Sequence, residues 1–173
     1  MQLRHVCFSH GQESGPWGTK IRALADVARG AGWTVESLDY QGVTEPRERV
    51  TQLEDYCRGL DGPPLLVGSS MGGFVALCAA AALPACGLFL LAPALYLPGY
   101  EEHLPADLPG CPTRIVHGWG DAVVPWEGSV RYGVATGAQL LLVNGDHRLT
   151  TQLGIIGPHF ADFLHELQTA CAD

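Results

Sequence analysis

The sequence has few charged residues, and a long central stretch has none. Asp, Glu, Lys and Arg make up 16% of the 173 residues, with 10 basic against 18 acidic residues and a net charge of −8. An acidic chain is repelled by phosphate backbones and anionic lipids, so neither nucleic acid nor a membrane surface is a good candidate partner. No charged residue occurs from Gly62 to Tyr100. Glycines and prolines divide this stretch into pieces shorter than the roughly 20 apolar residues of a membrane-spanning helix. We therefore expect it to form buried core elements.

Motifs for metals, nucleotides and secretion are also missing. The sequence has no His-Glu-x-x-His, no zinc-type Cys/His spacing and no glycine-rich phosphate loop, so we expect no metal and no cofactor. The apolar run Val6 to Phe8 is too short for the core of a signal peptide, which favours a cytoplasmic protein. The cysteines include no Cys-x-x-Cys pair and are interpreted as reduced thiols, mostly in the core. They are Cys7, Cys57, Cys78, Cys86, Cys111 and Cys171.

Short apolar segments alternate with segments of helical periodicity. This alternation predicts an α/β protein: a three-layer, doubly wound sandwich around a mostly parallel sheet of about six strands. The length fits one domain, residues 1–173. The predicted strands are Arg4 to Ser9, Trp33 to Asp39, Pro64 to Gly68, Ala85 to Leu91, Thr113 to His117 and Gln139 to Val143.

Three segments have apolar residues at helical spacing. The first two are predicted to cover the sheet, and the third to pack as a closing helix whose second part starts at Gly157 and Pro158. Their apolar positions are Ile21, Leu24, Ala25 and Ala28; Val50, Leu53, Cys57 and Leu60; and Leu153, Ile156, Phe160, Phe163, Leu164 and Leu167.

The most informative feature is a serine between a predicted strand and a predicted helix. Ser70 has a glycine two residues away on each side, Gly68 and Gly72, whereas Ser69 has Val67 and Met71 there. This arrangement is typical of a nucleophile elbow, in which a sharp turn presents the serine oxygen to a substrate. The alternative is a small-residue turn without chemistry, but the preceding strand and following helix favour the nucleophile. Ser70 is therefore the candidate nucleophile.

A serine nucleophile needs a base and an acid that orients the base. Ligands of an open parallel sheet bind at the carboxyl ends of its strands, so both should follow strands. Asp121 follows the fifth strand and His147 the sixth, which gives the order Ser, Asp, His. Asp121 can also be a turn residue bonded to local amides, and the two roles are compatible. Asp146 is interpreted as shaping the loop, and Asp39 is a weaker alternative acid.

The other histidines lack this support. His10 and His117 precede glycines at strand ends, where a structural or turn role is favoured. The negative oxygen of a tetrahedral intermediate needs preorganised donors. The amide of Met71, directly after the nucleophile, and an amide of the turn after the first strand, best Gln12, are the candidates.

Together, the motifs around Ser70, Asp121 and His147 resemble those of the α/β-hydrolase superfamily. The resemblance covers nearly the whole chain and points to the small, lidless members, near carboxylesterases and dienelactone-hydrolase-like proteins. The resemblance implies a nucleophile at Ser70, an acid at Asp121, a base at His147 and oxyanion amides at Gln12 and Met71. Two features depart from the family pattern: the two N-terminal strands of the fuller fold are missing, and dienelactone hydrolases generally have cysteine where Ser70 stands.

The expected function is a serine hydrolase that cleaves small carboxylic esters or thioesters through an acyl-enzyme. The alternative is a catalytically idle scaffold that serves as a binding or interaction module, and a homo-oligomer is left open. Aromatic residues near the predicted catalytic edge either line a substrate pocket or pack on the core. They are Trp17, Trp119, Trp126, Tyr96 and Tyr100.

Overall fold

The structure, a computed structural model, describes residues 4–100 and 103–170. Within these residues it contains one sheet of six strands, and every neighbouring pair of strands is parallel. The strands are β1 (His5–Ser9), β2 (Thr34–Leu38), β3 (Leu65–Ser69), β4 (Gly87–Leu91), β5 (Thr113–Gly118) and β6 (Gln139–Val143).

Helices cover both faces of this sheet, so the molecule has three layers. The helices are α1 (Thr19–Gly30), α2 (Pro46–Arg58), α3 (Met71–Ala82), α4 (Glu127–Thr136) and α5 (Leu153–Ala170), the last preceded by a short 3₁₀ turn, Thr150–Gln152. One core packs α1 and α5 against one face of the sheet, and a second core packs α2, α3 and Tyr132 of α4 against the other face.

The strand order places the site. The order is β2-β1-β3-β4-β5-β6, so the chain runs outward from β1 to β2 and then crosses to β3 on the other side of β1. In such sheets a crevice opens between the two strands where the winding direction reverses, here β1 and β3. All five residues of β3 are buried, and α3 behind it is buried almost all round, which explains the charge-free stretch.

The predicted fold class is confirmed, and the structure corrects it in detail. Four predicted strands begin one or two residues early, and Gly157 and Pro158 do not start a new helical part. Instead α5 is continuous from Leu153 to Ala170, with Pro158 inside it. Pro158 lacks only one helical donor, and apolar positions on both sides of it, Ile156 and Phe160, are buried in one core.

The five described cysteines form no disulfide, and Cys171 lies outside the described residues. Cys7, Cys57 and Cys78 are buried, whereas Cys86 and Cys111 are half-buried. Among the described residues no helix is both long enough and apolar enough to cross a membrane.

Candidate active site

Ser70 lies in a strained turn between β3 and α3. Its backbone has φ 56° and ψ −121°, a conformation that L-residues rarely adopt. The turn needs the glycines around it because backbone passes close by. A Cβ on Gly68 would lie 2.1 Å from the carbonyl oxygen of Gly72, and one on Gly72 would lie 1.9 Å from that of Ser9. The flanking glycines therefore have the steric role expected of them.

The loops after β5 and β6 are held against each other. The amide of Trp119 donates to the carbonyl of Val143 at 2.9 Å, and the amide of Gly120 donates to that of Gly145 at 3.0 Å. Gly118 permits this approach, since a Cβ there would lie 2.2 Å from the Gly145 oxygen. The loop that carries Asp121 is thus fixed relative to the loop that carries His147.

The structure brings Ser70, His147 and Asp121 together. The Nε2 atom of His147 lies 3.0 Å from the Oγ of Ser70, and its Nδ1 lies 2.7 Å from Oδ2 of Asp121. The carboxylate can only accept, so Nδ1 carries the proton and Nε2 is left to accept from the serine hydroxyl. The His147 side chain is 21% exposed and that of Asp121 is fully buried.

The two carboxylate oxygens of Asp121 have different partners. Oδ1 accepts from the amides of Val123 and Val124, both at 2.8 Å, whereas Oδ2 accepts from His147. Burial by itself raises the pKa of Asp121. The amide of Val124, the His147 hydrogen bond and the amide of Val123 outweigh burial and lower the pKa below its ordinary value. Asp121 is therefore both a turn residue and the partner of His147.

The sequence did not predict that His117 would also contact Asp121. Its Nε2–H lies 3.1 Å from Oδ2 of Asp121 and 3.0 Å from the carbonyl of Val124. Its Nδ1 accepts from the hydroxyl of Ser129 at 2.7 Å. Burial lowers the pKa of His117, which outweighs the opposite effect of its partners. The signal was the spacing of four residues from His117 to Asp121 on one strand and its loop.

Asp146 shapes the histidine loop, as its position next to His147 suggested. Its Oδ1 accepts from the amides of Arg148 and Leu149 at 3.0 and 3.1 Å. Asp39, the weaker alternative acid, lies 3.9 Å from Nε2 of His10 and does not join the group around Ser70. Lys20 is half-buried, and burial lowers its pKa to about 8. The charges of Asp121 and Asp146 raise the pKa and so partly oppose this effect.

The loop after β1 adjoins the candidate nucleophile. A Cβ on Gly11 would lie 3.5 Å from the Cβ of Ser70, which puts the next residue, Gln12, at the same edge. Met71 is the first residue of α3, and its amide has no acceptor within the helix. In the described part of the chain, the backbone hydrogen bonds include none donated by the amide of Gln12 or Met71. Both amides remain candidates for binding an oxyanion.

Of the candidate pocket residues, Trp119 is the most accessible. It is 53% exposed and packs edge to face on Trp126, with ring centroids 5.0 Å apart. Trp17 and Tyr96 are half-buried, and each packs against one of the two cores. Their contacts favour the core-packing alternative for these two residues, and a pocket role for them stays a prediction.

One cavity lies away from this group of residues. It has a volume of about 590 Å³ between α2, α3 and residues 103–107, and none of the candidate catalytic residues lines it. In residues 4–100 and 103–170 no group of three or more His, Cys, Asp or Glu side chains could hold a metal ion.

The chain is similar to proteins of one family. A model of the α/β hydrolase family matches residues 7–167. The mitochondrial palmitoyl-protein thioesterase ABHD10 of Bos taurus is 26% identical over 211 residues, which cover 87% of this chain and 69% of the bovine protein.

Solved structures agree with this match. A proposed hydrolase of the α/β superfamily from Xanthomonas campestris pv. campestris is 33% identical, with a TM-score of 0.85 over 94% of this chain and 98% of that chain. Est1E from Butyrivibrio proteoclasticus, in a structure with ferulic acid bound, has a TM-score of 0.82 at 19% identity over 97% of this chain and 90% of that chain. The similarity to Est1E shows a shared fold only.

Proposed function

This chain belongs to the α/β hydrolase family, and we propose that it is a serine hydrolase that cleaves small carboxylic esters or thioesters through an acyl-enzyme on Ser70. Family membership and the relatives named as thioesterases support hydrolase activity in general. One observation carries the finer proposal: Nε2 of His147 lies 3.0 Å from the Ser70 hydroxyl while Nδ1 lies 2.7 Å from Asp121. This geometry suits proton transfer from the serine to the histidine.

In the proposed reaction, the Ser70 oxygen attacks the acyl carbon as its proton passes to Nε2 of His147. The carbonyl oxygen becomes negative and is held by the amides of Gln12 and Met71. The tetrahedral intermediate collapses, the bond to the alcohol or thiol breaks, and His147 returns the proton to the leaving group. Water then attacks the acyl-enzyme by the same steps. Asp121 keeps His147 in the required tautomer and stabilises its cation.

The substrate class is inferred from relatives and from the open site. A relative is named a palmitoyl-protein thioesterase, and Est1E has been solved with ferulic acid. The segment between β4 and β5, residues 92–112, is too short to form a separate lid domain, which favours an open site. We therefore propose short acyl groups, with p-nitrophenyl acetate and butyrate hydrolysed faster than the palmitate.

The test is labelling with a fluorophosphonate probe, with mass spectrometry to locate the adduct. We expect an adduct on Ser70 in the wild type and loss of labelling in Ser70→Ala. In His147→Ala the rate of labelling at Ser70 should fall by about 10⁴-fold or more, because the nucleophile loses its base.

His159→Ala is the matched control, because it removes a histidine from α5 at a distance from Ser70. It should label and hydrolyse like the wild type. A folded wild-type protein that forms no adduct and hydrolyses neither esters nor thioesters would instead support the idle scaffold.

A further inference from the structure

Arg49 of α2 is a buried cation in contact with the loop after β1. The residue is 2% exposed, and in the described part of the chain no carboxylate forms an ion pair with it. Its Nε donates to the carbonyl of Val43 at 2.7 Å, and its guanidinium carbon lies 5.3 Å from the centroid of the Tyr40 ring. Burying a charge without an opposite charge is costly, so this placement requires compensation by hydrogen bonds.

The remaining hydrogen bonds of Arg49 go to two successive carbonyls. Its Nη1 donates to the carbonyl of His10 at 3.3 Å and to that of Gly11 at 3.2 Å. The Gly11 carbonyl accepts a second hydrogen bond at 2.7 Å from Nδ1 of His10, whose Nε2 accepts from the amide of Tyr40 at 2.9 Å. The hydroxyl of Ser14 adds a longer hydrogen bond at 3.5 Å, so three donors fix the carbonyl of Gly11.

This carbonyl belongs to the same peptide unit as the amide of Gln12. A trans peptide is planar and its C=O and N–H point in opposite directions, so fixing the Gly11 oxygen fixes the direction of the Gln12 N–H. Hydrogen bonds polarise one another, and a charged donor in a buried environment does so more strongly than a neutral one. A guanidinium on the carbonyl side thus makes the amide a better donor on the other side. The peptide begins at Gly11, which adjoins Ser70, since a Cβ on Gly11 would lie 3.5 Å from the Cβ of Ser70.

We propose that Arg49 is a positioning residue for the oxyanion site: its guanidinium orients and polarises the Gly11–Gln12 peptide so that the Gln12 amide stabilises the negative oxygen formed beside Ser70. The inference rests on the proposed function. A tether that only stabilised the loop would alter the stability of the fold. A polarising group acts in addition on the charge that develops in the transition state, and so on kcat rather than on KM.

The variants are Arg49→Met, which keeps the length of the stem without charge or donors, and Arg49→Lys, which keeps the charge but not the paired donation. Arg114→Met is the matched control. Arg114 is half-buried and donates to the carbonyl of His159 at 3.1 Å and to Glu166 at 2.6 Å, on α5. The measurements are thermal unfolding, the kinetics of p-nitrophenyl butyrate hydrolysis, and inhibition by a trifluoromethyl ketone, which forms an oxyanion adduct with serine.

For folded Arg49→Met we expect kcat to fall by roughly 10- to 100-fold with KM within about twofold, less than the full loss of an oxyanion donor. The inhibition constant of the trifluoromethyl ketone should rise by the same factor by which kcat/KM falls. Arg49→Lys should be intermediate, and Arg114→Met should retain kcat even if it unfolds at a lower temperature.

Several outcomes would overturn the inference. One is a folded Arg49→Met with kcat and inhibitor affinity within about twofold of the wild type. Another is a lower kcat with unchanged inhibitor affinity. If Arg49→Met does not fold, Arg49→Lys decides in the same assays, and if neither folds, Arg49 is a structural residue only. A wild-type protein that neither hydrolyses the ester nor labels on Ser70 would overturn the proposed function itself.

Discussion

One carboxylate oxygen of Asp121 accepts from the loop, and the other contacts both His147 and His117. Oδ1 is fully used by the amides of Val123 and Val124, so the turn holds the carboxylate in place while Oδ2 faces the imidazole. This division means that the turn can survive a change that abolishes the acid's electrostatic role.

Asp121→Asn tests this division. The amide can keep one oxygen on Val123 and Val124, but its NH₂ group must then face His147 and would force the proton from Nδ1 to Nε2. We expect kcat to fall by about 10⁴-fold while the fold is retained, because Nε2 can no longer accept from Ser70. Steady-state kinetics and circular dichroism measure the two effects.

Asp146→Asn is the matched control for this change. It makes the same substitution in the neighbouring loop, where the carboxylate accepts from the amides of Arg148 and Leu149. Its kcat should stay within about threefold of the wild type. Equal losses in the two variants would mean that Asp121 acts only as a turn residue.

Trp119 gives a prediction on binding. It is 53% exposed beside the loop of Asp121, and its removal takes apolar surface from the edge of the site without opening the core. Trp119→Ala should raise KM for p-nitrophenyl butyrate by roughly 3- to 10-fold with little change in kcat, because uniform binding is lost. Val134→Ala, an 83% exposed apolar residue of α4, is the control. Unchanged kinetics across an ester series would remove Trp119 from the binding surface.

Some residues of the site could be predicted from the sequence and others could not. Ser70, Asp121 and His147 follow strands, so local patterns were sufficient to propose that they meet. The sequence predicts a structural or turn role for His117, but not its contact with Asp121, because that contact depends on the path of the loop. Arg49 directly precedes Val50, the first of the apolar positions at helical spacing in this segment, and a charged residue there is expected to be exposed to solvent. Its burial depends on where the loop after β1 lies against α2, which no local pattern contains.

At the scale of elements, the loops after β5 and β6 act as one unit because glycines allow backbone to approach backbone. Gly118→Ala would place a methyl group 2.2 Å from the carbonyl oxygen of Gly145, and backbone cannot yield as a flexible side chain can. We expect unfolding to become easier by about 3 kcal/mol, with kcat lowered at least 100-fold, because the loops must move apart. Urea unfolding and ester hydrolysis provide the measurements.

Gly110→Ala is the control for Gly118→Ala, since it lies before β5 and a Cβ there meets nothing within 4 Å. It should be nearly neutral in both assays. If Gly118→Ala were equally neutral, the loops would not need the close approach that positions Asp121 and His147.

The elements themselves follow from periodicity, with limits that have physical causes. Apolar spacing placed all six strands and the helices α1, α2 and α5, since burial of one face leaves a regular pattern. It did not reveal that Pro158 is accommodated in α5, because a helix packed on a core tolerates one missing hydrogen bond. Apolar spacing did not predict the strand order either, because the pairing of β1 with both β2 and β3 joins segments that are far apart in the sequence.

At the scale of the molecule, the doubly wound order explains why one edge carries the site. The winding reverses between β1 and β3, so the loops that leave these strands, which carry Gly11 and Ser70, lie where open α/β sheets bind their ligands. The loops of Asp121 and His147 leave β5 and β6 at the same edge. The same layered packing that builds this edge also buries histidines, which makes the free energy of unfolding depend on pH.

Three histidines, His10, His117 and His159, are held in environments where burial lowers the pKa below 6.5. In the unfolded chain they titrate near 6.5. Between the folded and unfolded pKa values the unfolded state binds more protons, so the free energy of unfolding increases with pH. Stability should therefore be nearly constant above about pH 7.5 and fall as the pH drops through 6.5, before the carboxylates protonate.

Urea unfolding at pH 7.5, 6.5 and 5.5 measures this slope, and His159→Leu tests its origin. His159 lies in α5 against Phe89, with a buried Nε2 that has no hydrogen-bond partner in the described part of the chain. The leucine removes both the titration and the unpaired nitrogen, so the variant should be at least as stable at pH 7.5 and lose less stability at pH 5.5. A wild-type stability that does not change from pH 7.5 to 5.5 would mean that these histidines protonate in the folded state as easily as in the unfolded chain.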